Sequence, residues 1–312
     1  MRRYSSRKRL ADRKSVQAFF VLIRVSNAVS RSNVLRSLRL VKLICEQGVA
    51  VKSDWLKLLI GSLHLIVATT TASSADWGAL KGRFALDGTL PERPKLVLNK
   101  DVEFCGKHEP RSEKLVVHPE DRGIANVVIW LDTKAGDKVA IHPSFEDVAA
   151  AKIKLANKGC RFDPHICVLR TGQTLMIENS DEVDHNTAAG LDRNAPFNDL
   201  TPSGKSVDRP KFAQTEKLPA QVQCSIHPWM IGWLVVKDHP YVAVTDEHGR
   251  FELKNLPAGE HTFVVWHELP GFVQEVTRNG KAESWKRGKV TLRVSPDSTD
   301  LGDVRVAVEA FK

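Results

Sequence analysis

The run Cys224-Ser225-Ile226-His227-Pro228-Trp229-Met230 restricts this chain more than any other segment does. A thiolate, an imidazole and a thioether recur at intervals of three, directly before an apolar stretch, Ile231 to Val236, that reads as a strand. A second imidazole stands upstream in Asn179-Ser180-Asp181-Glu182-Val183-Asp184-His185-Asn186. Two His, one Cys and one Met form the ligand set of a mononuclear electron-transfer copper site, with Met on a weak, long axis. The pattern predicts one copper held by His185, Cys224, His227 and Met230. Zinc fits less well, because Met is a poor zinc ligand and a structural zinc wants four N/S donors. A decayed site, with a core His and a disulfide at Cys224, is the remaining alternative.

Charge divides the chain. Residues 1–57 hold 14 Lys+Arg against 3 Asp+Glu, and residues 58–312 hold the other 32 against 34. The body is nearly neutral and carries no nucleic-acid signal. The basic front leads to an apolar core, residues 58–68, too short to span a bilayer comfortably. Lys52 and Lys57 precede it and Ser73-Ser74-Ala75 follows, as in an export signal. Residues 1–75 therefore read as a basic extension plus signal peptide, cleaved near Ala75. This predicts a periplasmic or secreted protein, touching a membrane only if the signal stays as an anchor. Residues 1–50 read either as an over-extended start or as a basic helix on a membrane surface.

An exported chain permits disulfides. With Cys224 assigned to metal, Cys105, Cys160 and Cys167 remain in the mature part. Cys105–Cys160 is the preferred bridge, because each stands beside a Gly in a turn-like context. Cys167, in Ile166-Cys167-Val168-Leu169, reads as a small buried hydrophobe. Nearly everything after Asp76 reads as short β-branched strands punctuated by Gly, Pro, Asn and Asp. Ser144 to Ala151 is the one helical candidate, and Asp192 to Pro219 reads as a long, loop-rich stretch.

Residues 151–237 resemble a cupredoxin of the short-loop, amicyanin type. The resemblance rests on Asn179…His185-Asn186 and on Cys224-x-x-His227-Pro228-Trp229-Met230-x-Gly232-x-x-Val235-Val236. It implies a Greek-key β-sandwich with copper at one end. It also implies that His227 lies near the surface and passes electrons to a partner docking beside it. Asn186 becomes a hydrogen bonder behind the ligands, Pro228 stiffens the loop, and Trp229 and Trp233 form an apolar shell that excludes water. Val242 to Thr262, with its Thr245-Asp246-x-x-Gly249-x-Phe251 hairpin and Leu256-Pro257-x-Gly259 turn, resembles a carboxypeptidase-regulatory, transthyretin-like sandwich. Gly78 to Gly88 resembles the start of such a module. The expected fold is all-β: residues 76–150 and 238–312 form an accessory sandwich, and the copper sandwich, 151–237, is inserted into it. Three modules in series is the alternative.

The remaining His carry weaker signals. His165 reads as structural or as a support to the ligands. His239, His248, His261 and His267 read as core or solvated residues, and His108 and His118 as at most a second metal site. No nucleophilic Ser motif, phosphate loop, haem attachment motif or His-x-His pair is present, so the expected class is not an enzyme. Two functions fit: an exported electron carrier, or a copper-storage or surface-binding module without redox traffic.

Overall fold

The computed structural model describes residues 76–134 and 137–312. The basic extension, the apolar core and the cleavage site near Ala75 lie outside the described residues. Strand β1 (Trp77–Asp87) leads through a short helix, α1 (Val102–Cys105), to β2 (Val128–Leu131). Nine strands follow: β3 (Lys152–Asn157), β4 (Phe162–Asp163), β5 (Ile166–Arg170), β6 (Thr174–Asn179), β7 (His185–Ala189), β8 (Phe197–Thr201), β9 (Ser206–Arg209), β10 (Ala220–Gln223) and β11 (Ile231–Lys237). The last eight are β12 (Val242–Val244), β13 (Arg250–Pro257), β14 (Gly259–His267), β15 (Gly271–Phe272), β16 (Glu275–Arg278), β17 (Lys281–Ser284), β18 (Lys289–Val294) and β19 (Thr299–Ala307). Among the described residues no helix is long and apolar enough to cross a membrane.

These strands make four sheets. One runs β13-β1-β19-β16-β17, and the next β12-β2-β14-β15 with β18 paired to β14. The third runs β5-β11-β10-β7-β8 and the fourth β4-β3-β6-β9. Strands β3 to β11 thus pair only among themselves. Strands from before and after them share the first two sheets, β1 lying between β13 and β19 and β2 between β12 and β14.

Side-chain alternation explains how the sheets stack. Leu175 and Ile177 of β6 face inward while Thr174, Met176 and Glu178 are half-buried on the other face, the period of a strand with one buried side. Strand β11 is different, being apolar on both faces. Leu234 and Val236 enter a core with Leu155, Leu175 and Ile177. Val235 and the partly buried Trp233 face the other way, onto Trp266, Val264, Trp130 and Val128. Strands β2 and β14 repeat this. Ile129, Leu131, Phe263 and Val265 enter the core of the first sandwich, and Val128, Trp130, Val264 and Trp266 enter the interface. The four sheets therefore stack as layers with three apolar seams, and the middle seam joins the two sandwiches. Strands buried on both faces lose polar alternation, which is why these three read as continuous apolar runs.

Two stretches differ from the sequence reading. Ser144 to Ala151 makes only a single 3-10 turn at Pro143–Phe145, followed by turns. The stretch from Asp192 to Pro219 contains β8, which pairs with β7, and β9, which pairs with β6. Its polar outer residues, such as Asn198, Asp208 and Arg209, hid the strands.

The middle seam is a packing interface of largely apolar side chains. Trp266 is 5 % exposed and meets the Trp233 ring at 4.9 Å, edge to face. Trp266→Ala is expected to lower stability by ~3–5 kcal/mol, read from the midpoint of chemical unfolding.

Candidate metal centre

Strands β10 and β11 pair antiparallel up to Gln223 and Ile231, so residues 224–230 form the connection between them. Two backbone hydrogen bonds close this loop, from Met230 N to His227 O at 2.9 Å and from Cys224 N to Met230 O at 3.2 Å. The fold brings His185, first residue of β7, against the loop, because β7 pairs with β10 at Val222 and Gln223. His185 and His227 are fully buried, Cys224 and Met230 nearly so.

The donors converge on one point. Cys224 Sγ lies 4.0 Å from His185 Nδ1 and 3.8 Å from His227 Nδ1, and the two rings stand 4.5 Å apart. A sulfur and a nitrogen bound to one metal in a trigonal plane, at ~2.3 Å and ~2.0 Å, would stand ~3.7 Å apart. The spacing already present therefore fits a metal ion among these three residues. Met230 packs in the same apolar cluster as Cys224.

Both rings are oriented from behind. His185 Nε2 donates to Asp181 Oδ2 at 2.9 Å, and His227 Nε2 donates to Asp101 Oδ2 at 2.9 Å. Each carboxylate accepts from Nε2 and turns Nδ1 toward the sulfur, where it can share a proton with the thiolate or, once deprotonated, offer its lone pair to a metal, the arrangement that orients metal-binding imidazoles. Asp181 is itself fixed by the Gly159 and Cys160 N–H groups, at 2.6 and 2.8 Å. Asp101 starts the α1 turn, its carbonyl accepting from Phe104 N and Cys105 N. Cys105 is bonded to Cys160, so one disulfide tethers α1 beside the segment that carries Asp181's donors. Asn186 ties the other side: its Oδ1 accepts from Ser225 N at 2.7 Å and Ile226 N at 3.2 Å.

Burial disfavours ionisation of the Cys224 thiol, but hydrogen bonding from His185 and His227 and from nearby backbone groups outweighs it and lowers its pKa to about 6. Burial likewise opposes charge on His185, yet Asp181 and Cys224 raise its pKa. Cys167, by contrast, is a free thiol sealed in the core, pushed up to about 12 by burial alone.

Several expected roles shift. His227 is fully buried rather than near the surface, because Asp101 covers its outer nitrogen. Pro228 is exposed beside it. Trp229 lies against His227, with ring centres 5.1 Å apart, and its Nε1 donates to Cys160 O at 3.2 Å. Trp233 contributes nothing to this shell: it stands on the opposite face of β11, against Trp266 and Glu268. Sequence reasoning missed Asp181 and Asp101. Asp181 stands four residues before His185, and that spacing was legible. Asp101 is 126 residues from His227 and carries no local mark.

His165 follows a cis Asp163–Pro164 bond and lies between two carboxylates. Its Nε2 is 2.5 Å from Glu268 Oε1 and its Nδ1 is 3.7 Å from Glu113 Oε2. Glu268 comes from the loop after β14, so the pair spans the two sandwiches.

No family model and no curated protein matches the chain. Solved structures that match include cupredoxins. A copper(I) amicyanin variant is 16 % identical, covering 27 % of this chain and 81 % of its own, with a TM-score of 0.25. A purple cupredoxin from Nitrosopumilus maritimus is 23 % identical, covering 28 % and 98 %, with a TM-score of 0.23. A copper-containing nitrite reductase from Thermus scotoductus SA-01 is 21 % identical, covering 33 % and 24 %, with a TM-score of 0.26.

The Glu113–His165–Glu268 group gives a pH prediction. Burial lowers the pKa of His165, but the two glutamates outweigh it and raise it from 6.5 to about 9. A raised pKa contributes stability that is fully present below the unfolded value and is lost as pH rises through the folded one. Stability should therefore fall by ~3 kcal/mol between pH 6.5 and 9 relative to His165→Gln, measured by urea unfolding across that range.

Proposed function

We propose that this chain is an exported electron-transfer protein with one mononuclear copper, which His185, Cys224 and His227 would hold with Met230 as a weaker fourth donor. The observation that carries this reading is the convergence of two imidazole Nδ1 atoms on the buried Cys224 sulfur. Thiolate, thioether and imidazole together suit a copper ion in both of its oxidation states, and that ion supplies the one-electron chemistry.

The protein's part is to hold these donors still. The loop hydrogen bonds at Met230 and Cys224 and the Asn186 clasp fix the thiolate side. Asp181 and Asp101 fix the ring planes and tautomers of His185 and His227. Ligands held in this way need not rearrange when charge changes by one, which keeps the barrier to electron transfer low. Trp229, Ile226 and Val183 pack around the core that contains Cys224 and Met230, and exclude water from it. The thiolate is stabilised by its donors before any metal arrives, and metal binding would displace the imidazole protons that face it.

Electrons would leave on the His227 side, where Pro228 is exposed, Trp229 half-buried, and the Asp101 side chain 30 % exposed. A redox partner protein docking over these residues is part of the proposal. The burial of the site favours this reading over storage, since a delivery site must open to release its ion. Export and cleavage near Ala75 rest on the sequence of residues 50–75. Pairing of strands from before and after residues 151–237 in the first two sheets supports reading the copper sandwich as inserted into an accessory module; only the hairpin and turn residues of Val242 to Thr262 suggest that it is of the carboxypeptidase-regulatory type.

The test is the visible spectrum of residues 76–312 loaded with one equivalent of Cu(II). A strong thiolate-to-copper band that ascorbate bleaches and Cys224→Ala abolishes is expected. A spectrum without that band sinks the proposal. Asp181→Asn and Asp101→Asn should each weaken copper retention ~10–100-fold, read by competition with a chelator, and raise the reduction potential by removing negative charge behind a ligand.

A further inference from the structure

A second convergence of donors lies on the accessory sandwich, built from segments far apart in sequence. His118 and Asp121 come from the turn before β2, and His248 from the hairpin between β12 and β13. Asp121 Oδ2 lies 2.8 Å from His248 Nδ1, and Asp121 Oδ1 lies 3.2 Å from His118 Nδ1. The two imidazoles stand 4.3 Å apart, tilted by 45°. One donor atom from each residue lies within 4.8 Å of the others.

The backbone around these donors is fixed. Gly249 has φ +73°, and a Cβ there would meet Phe84 O at 2.0 Å. A Cβ at Gly123 would meet the His248 carbonyl carbon at 2.0 Å, so the two loops approach in a way only glycine permits. Gly123 N donates to Asp121 Oδ1 at 3.0 Å, and His118 N donates to Gly123 O at 2.8 Å. Arg83 crosses beneath, its Nε donating to His248 O at 3.0 Å. Its guanidinium lies 3.5 Å from Asp121 but also 3.0 Å from Asp303, so a carboxylate outside the cluster offsets part of its charge. Asp121 N donates to His118 Nδ1 at 3.4 Å, a long contact that a metal at that nitrogen would replace.

We propose that His118, Asp121 and His248 form a second metal site, separate from the Cys224 centre, that takes zinc or another borderline divalent cation. Two imidazoles and a carboxylate are the donors such ions prefer, whereas calcium and magnesium want oxygen throughout. Ligand atoms ~2.0–2.2 Å from one tetrahedral ion stand ~3.3–3.6 Å apart, so the observed 2.8 and 3.2 Å, made to the two different oxygens of Asp121, must open by up to ~0.8 Å for an ion to enter. The side chains are 23 % (His118), 33 % (Asp121) and 34 % (His248) exposed, which leaves water access to complete the shell. His248 Nε2 points outward, 3.8 Å from Glu247 Oε1. Bound metal would join the turn before β2 to the β12–β13 hairpin and stabilise the accessory sandwich.

The experiment titrates zinc into the copper-loaded protein, with metal analysis after equilibrium dialysis. One zinc per chain is expected beyond the copper. His118→Gln and His248→Ala should each weaken zinc binding at least ~10-fold while their folds, checked by circular dichroism, stay intact. Cys224→Ala should keep the zinc, which separates this outcome from any result at the first centre. Zinc binding unchanged in both His variants, or no zinc taken up at micromolar free concentration, overturns the proposal.

Discussion

Two carboxylates set the rest of the metal centre in order. Asp181 and Asp101 hold the outer nitrogens of His185 and His227, each at 2.9 Å. A ring pinned at Nε2 must present Nδ1 inward, and both Nδ1 atoms then face the Cys224 sulfur. Remove that constraint and a buried imidazole is free to rotate or to change tautomer. The two anchors come from different parts of the chain. Asp181 belongs to the sandwich of β3–β11 itself, on the loop after β6. Asp101 arrives from the segment between β1 and β2, held in place by the Cys105–Cys160 bond.

That dependence makes the accessory sandwich part of the site. Residues outside 151–237 supply the carboxylate behind His227, half of the disulfide, and both Glu113 and Glu268 around His165. The middle apolar seam, with Trp233 against Trp266, keeps these segments in register with β11, whose start follows Met230 directly. The segment carrying Asp101 covers the outer nitrogen of His227, so the proposed redox partner would meet Asp101, Trp229 and Pro228.

Much of this was legible in the sequence, and what was not has physical causes. Cys224, His227 and Met230 sit within one short loop, so their convergence is a local property that spacing alone reveals. His185 was legible because the strand β6 before it alternates cleanly. The interface was not. Continuous apolar runs at Val128–Leu131, Phe263–Trp266 and Leu234–Val236 announce strands, but not which neighbour covers the second face. Trp233 was assigned to the metal shell for that reason, when the pleat sends it to the opposite side from Leu234. Asp101 and the cluster of His118, Asp121 and His248 depend on contacts between segments more than a hundred residues apart, which no local pattern encodes.

In the proposed centre Cys224 and two imidazoles bind one copper and move little when its charge changes. Copper-edge X-ray absorption on the oxidised and reduced protein measures this. One short sulfur and two nitrogen neighbours are expected in both states, with nearly the same distances. A shell of oxygen and nitrogen without short sulfur, or a coordination number that changes on reduction, would contradict the proposal.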